Sequence, residues 1–175
     1  MIAAQTIEAA VRGDRQARAQ LLTTLQDVWF RFCLSQLGNP DRAADATQET
    51  ALRFLKQLSH FRGESQLQTW SLGIALNVVR EMKRKRTPDS LADEPNLTAE
   101  QSSADSRIES AEEQTQMRAV LQTLPDRQRE AIVLRFFEEL SVEQTASAMD
   151  CAVGTVKATV HQALRALREK MKQSI

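Results

Sequence analysis

Little in these 175 residues is suited to holding a metal or making covalent chemistry. There are two cysteines and two histidines, and their spacing offers no zinc set. No cluster of carboxylates and no glycine-rich phosphate loop occurs, so an enzyme such as a nuclease has nothing to work with, and neither cofactor nor metal is expected. Cys33 and Cys151 could pair, but a lone pair reads more often as two reduced core thiols. No apolar run approaches the roughly 18 residues needed to span a bilayer. The amino terminus lacks the basic-then-apolar pattern of a signal peptide. The expected setting is the cytoplasm, without membrane insertion and without a small-molecule substrate.

Glycine and proline are also scarce, five and four respectively, and they punctuate long stretches of helical period. No segment alternates convincingly as a strand. Helices are expected near 3–12, 14–37, 41–58 and 66–86. Asp14 can cap the second, and Gly38-Asn39-Pro40 stops it and starts the third. On that third helix the expected core stripe is Ala44, Thr47, Ala51, Phe54, Leu55 and Leu58. Its opposite face carries Asp45, Gln48, Glu49, Leu52, Arg53 and Lys56. Further helices are expected near 114–123, 125–138, 141–149 and 153–172.

The net charge of zero hides a division: +5 over residues 1–87, −7 over 88–116 and +2 over 117–175. Residues 88–113 are rich in Ser, Asp, Glu, Ala and Pro and poor in large apolar side chains, the composition of a flexible acidic linker. The fold class is therefore all-α, with two small helical domains, 1–87 and 114–175, joined by that tether. The basic ends suit an anionic partner better than the middle does.

Within the second domain, Ser141 followed by Gln144 is a capping box that starts a short helix. Asp150-Cys151-Ala152 makes a tight turn. A longer helix follows, with Val153, Val156, Val160, Leu164, Leu167 and Met171 as its expected inward stripe. Its outward side shows Thr155, Lys157, Ala158, Thr159, His161 and Gln162. Short helix, turn and longer helix are the parts of a helix-turn-helix. In the first domain, HFRGESQLQTW, residues 60–70, places Phe61 and Trp70 around a glycine hinge. The cluster Lys83-Arg84-Lys85-Arg86 follows one helix length later. Trp70 shares a stripe with Leu67, Ile74, Val78 and Met82 and reads mainly as core. Gly73, Asn77, Arg80 and Arg84 share another face.

Residues 124–169 resemble region 4 of the extracytoplasmic-function sigma factors of bacterial RNA polymerase, and residues 45–86 resemble region 2 of the same family. The two stand in the family's order, flank a variable linker, and with the first helices span nearly the whole chain. The resemblance implies an alternative sigma factor that binds core RNA polymerase and directs promoter-specific initiation, with an anti-sigma factor as a further partner. It implies that Asp45, Gln48, Glu49, Leu52 and Arg53 face the polymerase. It assigns Phe61, Arg62, Gly63, Asn77, Arg80, Lys83 and Arg84 to the −10 element, with one unpaired base held between the glycine-hinged loop and the next helix. An aromatic ring there would stack on the base for about 1–3 kcal/mol, and the Asn77 amide would read its edge. The −35 element falls to Arg135, Thr155, Lys157, Ala158, His161 and Gln162.

The chain departs from the family pattern at several places. Thr159 and Gln162 stand where many relatives carry arginine, Ala152 replaces a more usual Ser or Pro, and Leu76 replaces a frequent arginine. Weak −35 affinity, a different element, or heavier reliance on the −10 contacts would each follow. Two other classes compete: an autonomous helix-turn-helix regulator, for which no heptad run supplies a dimer surface, and a sigma-like adaptor that binds only protein.

Overall fold

The computed structural model describes residues 2–85 and 116–173, with side chains to residue 170. The expected linker, 88–113, and the domain limits set at its ends lie outside the described residues. Among the described residues all regular structure is helical, and no helix is long and apolar enough to cross a membrane.

Helix α1 spans Ala4–Val11. Helix α2, Arg15–Leu37, starts where the Asp14 carboxylate accepts from the Ala17 amide at 2.7 Å. It ends at Gly38, whose left-handed φ of 68° suits a residue without Cβ. Asn39 caps α3, Pro40–Gln57, by accepting from the Arg42 amide at 2.9 Å, with proline in the tolerated first position. A 3₁₀ turn, Leu58–His60, leads into the loop before α4, Leu67–Arg84. The second half comprises α5 over 116–122, α6 over Asp126–Ile132, α7 over Val142–Met149 and α8 over Val153–Gln173. Helix α6 runs on into a π turn, Val133–Phe137, which leaves Phe136 and Phe137 about half exposed. The capping box forms: the Ser141 amide donates to the Gln144 side chain at 2.7 Å, and the Gln144 amide to the Ser141 hydroxyl at 3.0 Å. Asp150 turns the chain with φ 52°.

Helix α4 is the axis of the molecule. It buries Leu67, Leu72, Ile74, Ala75, Leu76, Val78 and Val79, more than one face's worth. Packing explains this, since α2 and α3 cover one side of it and α7 covers another. The Gly73 backbone comes close to α7: a Cβ there would lie 3.5 Å from the Ala148 carbonyl oxygen. Trp29 and Phe54 are fully buried, each worth about 1.5–3 kcal/mol in burial alone.

Two sequence expectations need correction. The inward stripe of α3 is Ala43, Ala46, Thr50 and Phe54, while Ala44 is exposed. The helix is rotated by one residue, about 100°, because its contacts with α2 are made by small residues that a sequence pattern weighs equally. On α8, Ala163 is fully buried and Leu164 is 44% exposed. Ala163 lies seven residues, nearly two full turns, beyond buried Val156, and Leu164 has rotated off that line. Cys33 and Cys151 are both free thiols, the former buried and the latter half-buried, in line with the reading of two reduced thiols.

Candidate nucleic-acid interface

A chain of rings links the core to the loop before α4. Trp29 meets Phe54 at 5.1 Å between centroids, Phe54 meets Trp70 at 5.6 Å, and Trp70 meets Phe61 at 5.1 Å, all tilted. The buried Trp29 indole donates to the Ser71 hydroxyl at 3.0 Å. Phe61 is thus an anchor on half-buried Trp70, and the loop beyond it stays exposed at Arg62, Gly63 and Glu64. Gly63 adopts φ 73° with nothing within contact range of where a Cβ would sit. A cleft of about 450 Å³ lies here, lined by His60, Phe61, Arg62 and Trp70, and also by Ser147 from α7.

Asn77 lies elsewhere. It is exposed two turns along α4 from Trp70, about 10 Å in axial rise. It lines a separate cleft of about 290 Å³ with Arg80 and Arg84, facing Arg53 and Gln57 of α3. The expected base-binding residues are therefore divided between two neighbouring hollows. The cleft beside Asn77 is basic but internally paired. Arg53 donates to both Glu81 carboxylate oxygens at 2.7 and 2.8 Å and to Glu49 at 2.6 Å. These bonds hold the Glu81 carboxyl below its usual range and raise the Arg53 guanidinium above its own. Arg53 thus ties α3 to α4. Of its companions on the expected polymerase face, Asp45, Gln48 and Leu52 are exposed and Glu49 half-buried; Leu52 shows 51% of its surface.

Further along α4, two of the expected phosphate contacts are engaged by the second half of the chain. Arg80 donates to both oxygens of Glu130 at 3.1 and 2.7 Å, and Lys83 donates to Asp126 at 2.7 Å. Glu130 is 2% exposed and also lies 3.4 Å from Arg127. Burial pushes the Lys83 amine below its ordinary value, and the bond to Asp126 only partly offsets this. Arg84 remains exposed at the rim of a third hollow, which Lys83, Asp126 and Arg127 also line. The seam continues beneath these pairs. Arg129, 7% exposed, donates to the carbonyls of Leu121, Gln122 and Leu124 and, across the seam, to that of Gln36 at 2.8 Å. Gln122 donates to the Ser35 carbonyl at 2.8 Å and its side chain packs over Gly38. Gln36 is fully buried with both side-chain amide atoms unpartnered.

On α8, Thr155, Lys157, Ala158, His161 and Gln162 all lie exposed, as expected of the outer side of a recognition helix. Arg135 is turned toward its own loop: it donates to the Leu140 carbonyl and its guanidinium lies 5.9 Å over the Phe136 ring. The sequence pattern missed Glu81, Asp126, Arg129 and Glu130. Each reads as an ordinary helix-surface charge, and their partners stand 28 to 93 residues away.

Two family models match the chain in order: Sigma-70 region 2 over residues 21–88 and Sigma-70, region 4, over residues 114–167. The chain is 27% identical to the ECF RNA polymerase sigma factor SigW of Bacillus subtilis over 98% of both chains. It is 31% identical to the ECF RNA polymerase sigma factor SigD of Mycobacterium tuberculosis, over 94% of this chain and 82% of that one. Among solved structures, the sigma factor RpoE in its co-crystal with the anti-sigma factor NepR from Bartonella quintana is similar, with a TM-score of 0.69 and 27% identity. That match covers 88% of this chain and 96% of the other.

Proposed function

The chain belongs to the extracytoplasmic-function RNA polymerase sigma factors, and from that premise we propose how its two helical halves divide the work of an alternative sigma factor. The exposed face of α3 around Asp45, Gln48, Glu49 and Leu52 docks on core RNA polymerase. Arg53, through its bonds to Glu49 and Glu81, keeps that face and α4 in fixed relation. The glycine-hinged loop and α4 take the −10 element, with Asn77 reading an unpaired base and Arg80, Lys83 and Arg84 holding phosphates. The outer side of α8 reads the −35 element. The RNA-synthesising chemistry belongs to the polymerase, which places this chain's action in the cytoplasm, and an anti-sigma factor restrains it.

The observation that carries this reading is Asn77, a side chain able to donate and accept, exposed in a cleft between arginines. Such an amide discriminates a base edge by about 1–3 kcal/mol. Asn77→Ala should therefore lower promoter-dependent transcription by roughly 5- to 150-fold while the affinity for core polymerase, measured by fluorescence titration, stays unchanged. Equal loss of core binding and transcription would remove Asn77 from base reading.

A further inference from the structure

Glu81 is the exception in its stretch of chain. Every other charged side chain between positions 80 and 86 is basic, and the cleft that Glu81 shares with Asn77 takes three arginines, Arg53, Arg80 and Arg84, among its lining. A carboxylate there opposes the phosphates that the arginines attract, and so weakens binding that ignores sequence. It is also fixed in place and in charge. Arg53 donates to both of its oxygens, and those bonds first, with the nearby Lys85 and Arg84, hold its carboxyl below the usual range. An ionised carboxylate accepts hydrogen bonds and donates none. The fork of Arg53 takes two of its roughly four acceptor positions. With 32% of the Glu81 side chain exposed, the others are open to the cleft.

Asn77 and Glu81 stand one helical turn apart on the same face of α4, about 6 Å of rise. Their cleft, about 290 Å³, is at the small end of ligand pockets and suits one ring system, not a stretch of duplex. The Asn77 amide can offer a base either a donor or an acceptor, so by itself it leaves the choice of base open. Glu81 narrows that choice. Cytosine, adenine and guanine each carry an amino group able to donate to a carboxylate. Thymine carries none, and its single ring N–H is flanked by the O4 and O2 acceptors, which a carboxylate repels. We infer that Glu81 is a specificity-determining residue of this site, where it admits an unpaired base bearing an amino group and refuses thymine. The inference rests on the base-reading role given to Asn77 above. Repulsion of phosphate by Glu81 is then the cost of discrimination at the base, and Arg53 orients the carboxylate from α3.

The test uses holoenzyme assembled from core polymerase and the full chain, offered a library of promoter DNAs randomised through the −10 element, with the bound DNA sequenced. Comparing bases within one variant cancels any change in its folding or its affinity for core polymerase. At the position whose selectivity Asn77→Ala relaxes, wild type should enrich amino-bearing bases over thymine by roughly 5- to 150-fold. Glu81→Gln, whose amide can donate to a carbonyl oxygen, should admit thymine there and leave the other positions as they were. Arg53→Gln removes the same ion pair but keeps the carboxylate with a donor beside it, so thymine should still be refused. Thymine accepted by wild type at that position, or still refused by Glu81→Gln, overturns the role of Glu81. Thymine accepted as readily by Arg53→Gln as by Glu81→Gln also overturns it, and leaves Glu81 as a tie between α3 and α4. An Asn77→Ala variant that relaxes no position overturns instead the base-reading role on which the inference rests.

Discussion

Arg129 is the side chain whose removal should cost the second half most. Its guanidinium donates to the Leu121, Gln122 and Leu124 carbonyls at 2.9, 3.2 and 2.8 Å, closing the carboxyl end of α5 onto α6, and to Gln36 at 2.8 Å. Burial pushes its pKa below the ordinary guanidinium value, which marks how little water reaches it. Arg129→Met keeps the stem and removes every donor. Each buried acceptor left unsatisfied costs about 1–3 kcal/mol, and water will recover some of the four, so the net loss should be about 3–5 kcal/mol. A domain of this size has little more than that to lose. Both tryptophans, Trp29 and Trp70, lie in the first half, which makes a two-probe urea titration decisive. Far-UV ellipticity reports both halves, and fluorescence reports Trp29 in the first-half core and Trp70 at the cleft that Ser147 of α7 also lines. In the variant the ellipticity should fall in two steps, with the main fluorescence change, that of buried Trp29, in the later one. The control Arg127→Met, at an exposed residue with one 3.4 Å ion pair, should cost about 0–1 kcal/mol. A single coincident transition for Arg129→Met, displaced by less than about 1 kcal/mol, would refute the account of Arg129 as the tie between α5, α6 and α2.

Burial drives the Cys33 thiol up to about 12, with the Thr47 side chain opposing this only in part, so native protein should show one rapidly reacting thiol, Cys151, and two after denaturation. Two fast thiols in the native state would show that the α2–α3 core opens. Burial also raises the Glu138 carboxyl, against a smaller opposing pull from Arg31. A raised carboxyl binds its proton more tightly when folded, so its contribution is full below about 4.5, the ordinary value, and is lost as pH rises through the folded value. Glu138→Gln should accordingly be more stable than wild type at neutral pH and converge with it near pH 4. Parallel stability curves over that range would place the carboxyl in water.

The helix limits were legible because local chemistry sets them. Asp14 and Ser141 cap the helices they were read to cap, and Gly38-Asn39-Pro40 ends α2 and starts α3 as read. The helix-turn-helix was legible for the same reason. The phase of α3 was not, since Ala43, Ala46 and Thr50 compete with Ala44, Thr47 and Ala51 on equal terms and Phe54 fits both stripes. The seam left no local sign at all. Nothing near Glu130 or Asp126 distinguishes them from solvated charges, and their partners on α4 lie across the acidic segment in sequence. Likewise Phe61 and Asn77 looked like walls of one pocket, whereas Trp70 fills the inner side of the loop and leaves Asn77 to a second cleft.

The π turn at Val133–Phe137 amounts to one surplus residue stored inside a helix. A chain shorter by one residue there would close the same stretch in plain α register, with the segments on either side keeping their places. A one-residue deletion at this point is then absorbed inside the helix and spares the loop before the capping box.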